Sequence, residues 1–554
     1  MVRVYRYSLL ALILLLGACA SRMKDQMKAY RDSFALGDFE AAEKVLDASV
    51  LKDDKKSALL WHLEKGTVAF RRDQLDQAVS HFEASLELID RLYTKRLSAK
   101  AASLLINDTS DVFYGASYER SSAHYFLAKA LYARYLKSGN RLDLQGARAA
   151  VLAWDTYFTE LQRSSTYKTL YHTDLMLKVF GGEIHEVSGI KGDKQIALQL
   201  YKDALGILEK EGGIFSLFNT KHAEYVKDAE ERLSEGKAPT GKFYEKTPAY
   251  EDLKDFLHYK ILAVTKEIRG FDFSTQVKAL RPDPKVLARV NEGPANVVLV
   301  IEEGLIPPKV AKPFNIGLKG AADQAKGSKA QQAIMSVGSA VIAQFAMNTL
   351  GMVPGRSTSP GTFMFGYEAT KFAAQEAAIY FELPMIESVP PIQRLEVFIL
   401  DEKGVVKKHG PLPVVSENGD IARVVLEEDA VARYWKTGVR VAMKHILAIV
   451  AAYGVYQKMK GGNGGDFLAK TSALATYSLA TKGIAALEKA DTRHWTTLPQ
   501  AIRLTEWKLP PGQYKLALGL YSGKIPPAAP SKILGDFVVK ESGKGLHTLP
   551  FASL

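Results

Sequence analysis

Cysteine is almost absent: the chain has one, Cys19, in 554 residues. A lone cysteine excludes an internal disulfide and any zinc site built on several thiolates. Long apolar runs are scarce as well. The stretch from Tyr7 to Ala20 is nearly uncharged, yet it falls short of the roughly 20 residues that a membrane-spanning helix needs. Phosphate-binding glycine loops are missing, since "GLKGAADQAKGSK" is rich in glycine and lysine but has the wrong spacing. No G-x-S-x-G elbow occurs, and "IHEVSG" at Ile184 lacks the second histidine of a metalloprotease helix. The sequence thus offers no catalytic residue, metal ligand set or cofactor motif, and the expectation is a protein that is not an enzyme.

What is present starts at the N-terminus. Arg3 and Arg6 precede the apolar run, and the polar "SRMKDQMKAYRDS" follows it. This is the layout of a signal peptide, residues 1–18. Leu16-Gly17-Ala18-Cys19 resembles the bacterial lipobox, which implies that Cys19 receives a diacylglycerol and becomes the first residue of the mature chain. The alternative is that Ala18-Cys19-Ala20 is an ordinary cleavage site releasing a soluble periplasmic protein. Three acyl chains, palmitate among them, would anchor the chain stably where one is marginal. Position two of the mature chain is Ala20 and not aspartate, so resemblance to the enterobacterial sorting rule implies the periplasmic face of the outer membrane. The net charge of +12 suits anionic headgroups or an acidic partner, although no compact basic run stands out. An exported chain has no expected nucleic-acid partner.

Residues 19–236 read as helix after helix. "GDFEAAEKVLDAS" and "DQLDQAVSHFEAS" superimpose at an offset of 36 residues, Ala42 on Ala78, Leu46 on Phe82 and Ser49 on Ser85. Gly66, Ala69, Ala78, Phe82 and Ser85 have the spacing of a tetratricopeptide repeat. Small Gly66 and Ala78 would let two helices approach, with Phe82 filling the space beside them. Weaker units centre on Ala147 and Trp154, and on Ala197, Tyr201 and Ala204. An α-solenoid is expected, with a non-repetitive bundle as the alternative. Residues 237–293 read as a linker with one amphipathic helix. Residues 294–554 read as an α+β domain with antiparallel strands flanking a helical pair. The segment Ala330 to Gly355 carries no charge, so an apolar helix is expected over about 328–355, either packed or dipping into a membrane. The expected fold class is therefore mostly α: a tetratricopeptide-like solenoid followed by an α+β domain.

The stretch "LEKADTRHWTTLPQAIRLTEWKLPPGQYKL", Leu487 to Leu516, resembles a signature of an uncharacterised group of proteobacterial lipoproteins, with the Asp491-Thr492-Arg493-His494-Trp495 core its most specific part. "YERSSAHYFLAKALYARYL" (Tyr118 to Leu136) and "NVVLVIEEGLIPPKV" (Asn296 to Val310) are similar to the same group. The resemblance implies tetratricopeptide-like helices before an α+β domain and no established activity. Some members lie beside genes for outer-membrane lipoproteins that activate penicillin-binding proteins, which implies a role in envelope assembly. Arg493 and Trp495 are candidate interaction residues for an envelope protein partner or peptidoglycan, a guanidinium and an indole being apt for either. The alternative is that Trp495 plugs the core and Arg493 pairs with Asp491. Tyr118, Glu119 and Arg120 allow the same two readings. The expected function is a protein-binding scaffold of the envelope. The alternatives are a cell-wall-acting enzyme or activator of peptidoglycan synthesis, and a component of a membrane pore or secretion complex.

Overall fold

The computed structural model describes residues 22–98, 112–164, 171, 173–211, 215–235, 245–270, 272–317, 378–386, 388–427, 465–541 and 545–551, with isolated residues between 437 and 459. Cys19 and the uncharged Ala330 to Gly355 segment lie outside them. The described chain is mostly helical, with antiparallel sheets towards the C-terminus.

Helix succeeds helix from the first described residue: α1 (22–35), α2 (Phe39–Asp47), α3 (Ala58–Arg71), α4 (Leu75–Ser98), α5 (Ser117–Ser138), α6 (Arg141–Ser164), α7 (Leu175–Val187), α8 (Asp193–Glu211) and α9 (His222–Ser234). Their ends follow from local chemistry. Asp38 accepts from the Ala41 amide and Asp174 from those of Met176 and Leu177, satisfying N–H groups that a first turn leaves open. Gly139, at φ +70°, closes α5 in a left-handed conformation that costs glycine little. α3 packs on α4, α5 on α6 and α7 on α8. A β-carbon on Gly66 would stand 2.8 Å from Phe82, so the absence of a side chain is what lets α3 and α4 approach there.

Between 248 and 291 the structure has three helices where the sequence suggests one: α10 (Pro248–Glu267), α11 (Phe273–Leu280) and α12 (Pro284–Asn291). α10 is buried through Tyr250, Leu253, Leu257 and Ile261. Thr247 caps it and Pro248 opens it, a proline at the first turn giving up only an unused N–H.

The strands are β1 (Val297–Glu303), β2 (Val310–Gly317), β3 (Ala378–Met385), β4 (Leu395–Asp401), β5 (Val406–Pro411), β6 (Val414–Ser416), β7 (Ala501–Trp507), β8 (Gly512–Leu520), β9 (Lys532–Val539) and β10 (Gly545–Phe551). Helix α13 (418–427) follows β6, and α14 (Gly465–Leu487) precedes β7. One sheet has the order β10-β1-β7-β6, a second β5-β4-β8-β9, and β2 pairs with β3 apart from both. The run from Ala295 to Leu318 does form two strands, β1 and β2, and they belong to different sheets. One expectation needs correction here. The strands read as antiparallel throughout, but β1 pairs with β10 in parallel.

Alternation along β1 explains the layering. Val298 and Val300 join the core of the helices, together with Ile502 and Leu504 of β7. Val297, Leu299 and Ile301 face the other way and pack on Leu395, Val397, Ile399, Leu516 and Leu518 of the second sheet. A strand buried on both faces must be apolar at successive positions, and "VVLVI" is. The order of layers is helices, first sheet, second sheet.

Candidate functional site

The loop between α14 and β7, residues 488–500, runs into the helical layer. Trp495 is fully buried. Its ring lies 5.0 Å from Phe126 of α5 and 6.2 Å from Phe82 of α4. Its indole N–H donates to Thr67 Oγ1 at 3.0 Å, and its backbone N–H donates to Glu119 Oε1 at 2.7 Å. Glu119 stands in the first turn of α5, where its other oxygen accepts the Ala116 amide at 2.6 Å. A carboxylate there also meets the positive end of the helix dipole.

The next two residues are gripped from α3. Thr496 donates to Glu64 Oε1 through its amide at 2.5 Å and through its hydroxyl at 2.8 Å. The Thr497 hydroxyl donates to Glu64 Oε2, and Arg31 of α1 donates to the Thr496 carbonyl at 2.8 Å. Burial pushes the Glu64 carboxyl up to about 7, against the opposing pull of the threonine hydrogen bonds. His494 is buried beside them, and burial together with the Lys309 charge lowers its imidazole to about 3.

Arg493 forks onto Asp491, Nε to Oδ1 at 2.9 Å and Nη2 to Oδ2 at 2.7 Å, and reaches Ser57 Oγ at 3.1 Å. Its guanidinium lies 5.9 Å from the Phe113 ring. Tyr118 is buried, with the Lys309 ammonium 5.8 Å from its ring. Arg120 stands 5.8 Å from the Tyr157 ring. The structure therefore gathers Trp495, Arg493, Tyr118 and Glu119 at one junction, where Trp495 and Glu119 bind each other; Arg120 flanks it. Lys309 joins the third stretch of the family resemblance to the same place, 4.0 Å from Glu119 and 3.4 Å from the Arg493 carbonyl. The Ile306 amide donates to the Leu498 carbonyl at 2.7 Å.

Sequence reasoning missed Glu64. Its signal was there: a carboxylate one turn from Leu60 on one side and Val68 on the other, on a helix face that buries apolar residues.

Two buried ion clusters fasten the first sheet to the helices on either side of this loop. Glu302 of β1 meets Arg71 of α3 and Lys129 of α5, and the Tyr125 hydroxyl donates to it at 2.9 Å. Burial alone would raise Glu302, yet the Lys129 and Arg71 charges hold it down to about 2. Burial also lowers Lys129 to about 8, with Glu302 acting in the opposite direction. In the second cluster Lys260 of α10 lies 2.7 Å from Glu183, 2.7 Å from Glu186 and 2.8 Å from Glu506 of β7. These three carboxylates approach closely enough to ligate a metal ion, but the Lys260 ammonium supplies the cation between them.

A third group lies at the start of α13. Glu417 and Asp420 are buried, with Asp420 bonded to Arg423 at 2.5 Å. Ser216 donates to Glu417 Oε1 at 3.4 Å and its amide to Asp420 Oδ2 at 3.3 Å. Burial and the neighbouring Asp420 push the Glu417 carboxyl up.

Fold and junction define the class: a helical layer closed by an α+β unit, two stacked four-stranded sheets with the β2–β3 pair apart, whose own loop fills the space between helices. No protein-family model, curated protein or solved structure matches the chain.

Proposed function

We propose that this protein is a non-enzymatic scaffold held at the periplasmic face of the outer membrane by lipid on Cys19. The single observation behind the scaffold reading is the junction: Glu64 and Glu119 hold residues 495–497 inside the helical layer, so helices and sheets share one core and present partners with a fixed geometry. The described chain is helical from residue 22, three positions after Cys19, and so short a spacing would keep that body close to the lipid headgroups. The Gly66–Phe82 approach and the repeat spacing support reading α3 to α8 as degenerate tetratricopeptide-like hairpins. Because the inward face of these helices is filled by Trp495 and the first sheet, an envelope protein would be met by outward surfaces.

Labelling with radioactive palmitate, followed by membrane fractionation, tests the anchor. Wild type should carry label and sediment with the outer membrane; unlabelled wild type would sink the reading. Affinity capture from crosslinked membranes, with Cys19→Ala as the mislocalised control, tests the scaffold. Envelope or cell-wall synthesis proteins should be recovered with wild type alone.

A second reading, a cell-wall-acting enzyme, is favoured by the buried Glu417 carboxyl, because a carboxyl of raised pKa is poised for acid–base work. It requires wild type to cleave purified peptidoglycan and Glu417→Gln to lose that activity. Inert wild-type protein ends it.

A further inference from the structure

The outer part of the α3–α4 hairpin carries two imidazoles that face each other. His62 and His81 bring their Nδ1 atoms to 3.0 Å, with ring centroids 5.2 Å apart, and both residues are half-buried. Trp61 stands edge-on to both, 5.0 Å from His62 and 5.2 Å from His81. A proton shared between neutral imidazoles satisfies this spacing, and so does an ion bound by both. With metal–nitrogen bonds of about 2.0 Å, two ligands of a tetragonal ion have nitrogens about 2.8 Å apart and those of a tetrahedral ion about 3.3 Å. The observed separation falls between these.

We propose that His62 and His81 form a two-ligand site for a divalent transition-metal ion, with solvent completing its coordination. Imidazole is the side chain common to zinc, copper and nickel sites, whereas magnesium and calcium select oxygen. A neutral imidazole keeps one ring nitrogen unprotonated, and with the proton on Nε2 both Nδ1 lone pairs can turn to one ion. The local charge is tolerable for a cation. The Lys65 ammonium acts on His81, and Glu43 and Asp47 hold it at 2.7 Å each; Asp47 also acts on His81 with the opposite sign. An ion here would clamp α3 to α4 at the place where Gly66 and Phe82 bring them together.

Trp61 provides the readout. The lipidated full-length chain in detergent, carrying no histidine tag, is titrated with Cu2+ while tryptophan fluorescence is followed, and Zn2+ is added in parallel thermal melts. The expected result is saturable quenching that disappears in Trp61→Phe, although that variant still binds Cu2+. His62→Gln and His81→Gln, which keep size and polarity, should each weaken Cu2+ binding by about tenfold or more. Zn2+ should raise the melting temperature of wild type and leave the His62→Gln/His81→Gln pair unmoved. Undiminished binding in that double variant, or no saturation below about 1 mM Cu2+, would overturn the site and leave a hydrogen-bonded histidine pair.

Discussion

Glu64 illustrates how one buried carboxylate can be both a clasp and a cost. Its partners are hydroxyls and an amide of residues 496 and 497, while the nearby Arg31 charge is spent on the Thr496 carbonyl. With its pKa raised to about 7 from 4.5, the folded state holds a proton that the unfolded state has released. Stability contributed this way falls as pH rises from 4.5 to 7. Glu64→Gln mimics the protonated form and should remove that fall, read as a smaller loss of melting temperature between pH 5 and pH 8 than wild type shows. Trp495→Ala acts differently, emptying a site between Phe82 and Phe126 and leaving Thr67 without its indole donor; it should cost about 3–5 kcal/mol in urea unfolding. At this scale the sequence pointed to Trp495, Arg493 and Glu119 as unusual. Their mutual contact was not readable, because Trp495 and Glu119 are 376 positions apart and no local pattern encodes such a pairing.

Among the elements, β1 has the most to satisfy. It pairs on both edges and packs on both faces, and its last two residues place Glu302 towards the helices and Glu303 towards Arg503, 2.7 Å away. Charge arithmetic separates two substitutions at Glu302 and Lys129. Glu302→Gln leaves the Arg71 and Lys129 cations buried without their anion and should cost about 3–5 kcal/mol. Lys129→Met leaves a neutralised Arg71–Glu302 pair and should cost distinctly less in the same denaturant titration. Helices α2 to α8 were legible from apolar residues at helical spacing, and β1 from its unbroken apolar run. β10 was not: "GLHTLPF" mixes histidine, threonine and proline, and nothing local reveals that it lies parallel to a strand about 250 residues earlier. The break between β1 and β2 was legible, but not that they enter different sheets, since a Gly-Leu-Ile-Pro-Pro stretch suits a hairpin turn as well as a departure to another sheet.

For the whole molecule, opposing titrations should produce a plateau of stability. His494, His124 and His258 are buried with pKa values lowered to about 3, 4 and 4 from 6.5, so the unfolded state binds more protons and stability is lost as pH falls through that range. Glu302, lowered to about 2 from 4.5, adds to the loss below pH 4.5. Glu64, Glu417 and Asp255 are shifted up and work the other way, reducing stability as pH climbs above their unfolded values. The two sets oppose each other between about pH 4.5 and 6.5; below that window the first set acts alone, and above it the second does until Lys129, lowered to about 8, begins to titrate. Melting temperature measured from pH 3 to 8 should therefore be nearly level across that window and decline on both sides; a steady rise to pH 8 would contradict the assignment of Glu64 and Glu417 as raised. The grip of Glu64 on Thr496 spans 432 positions, and this has a consequence in time. A ribosome adding about 5–20 residues per second delivers Glu64 roughly 20 to 90 s before the tryptophan loop that completes its surroundings. The newborn helices must wait that long with an oily seam open, and the exposed seam is what a chaperone guarding this nascent chain would have to cover.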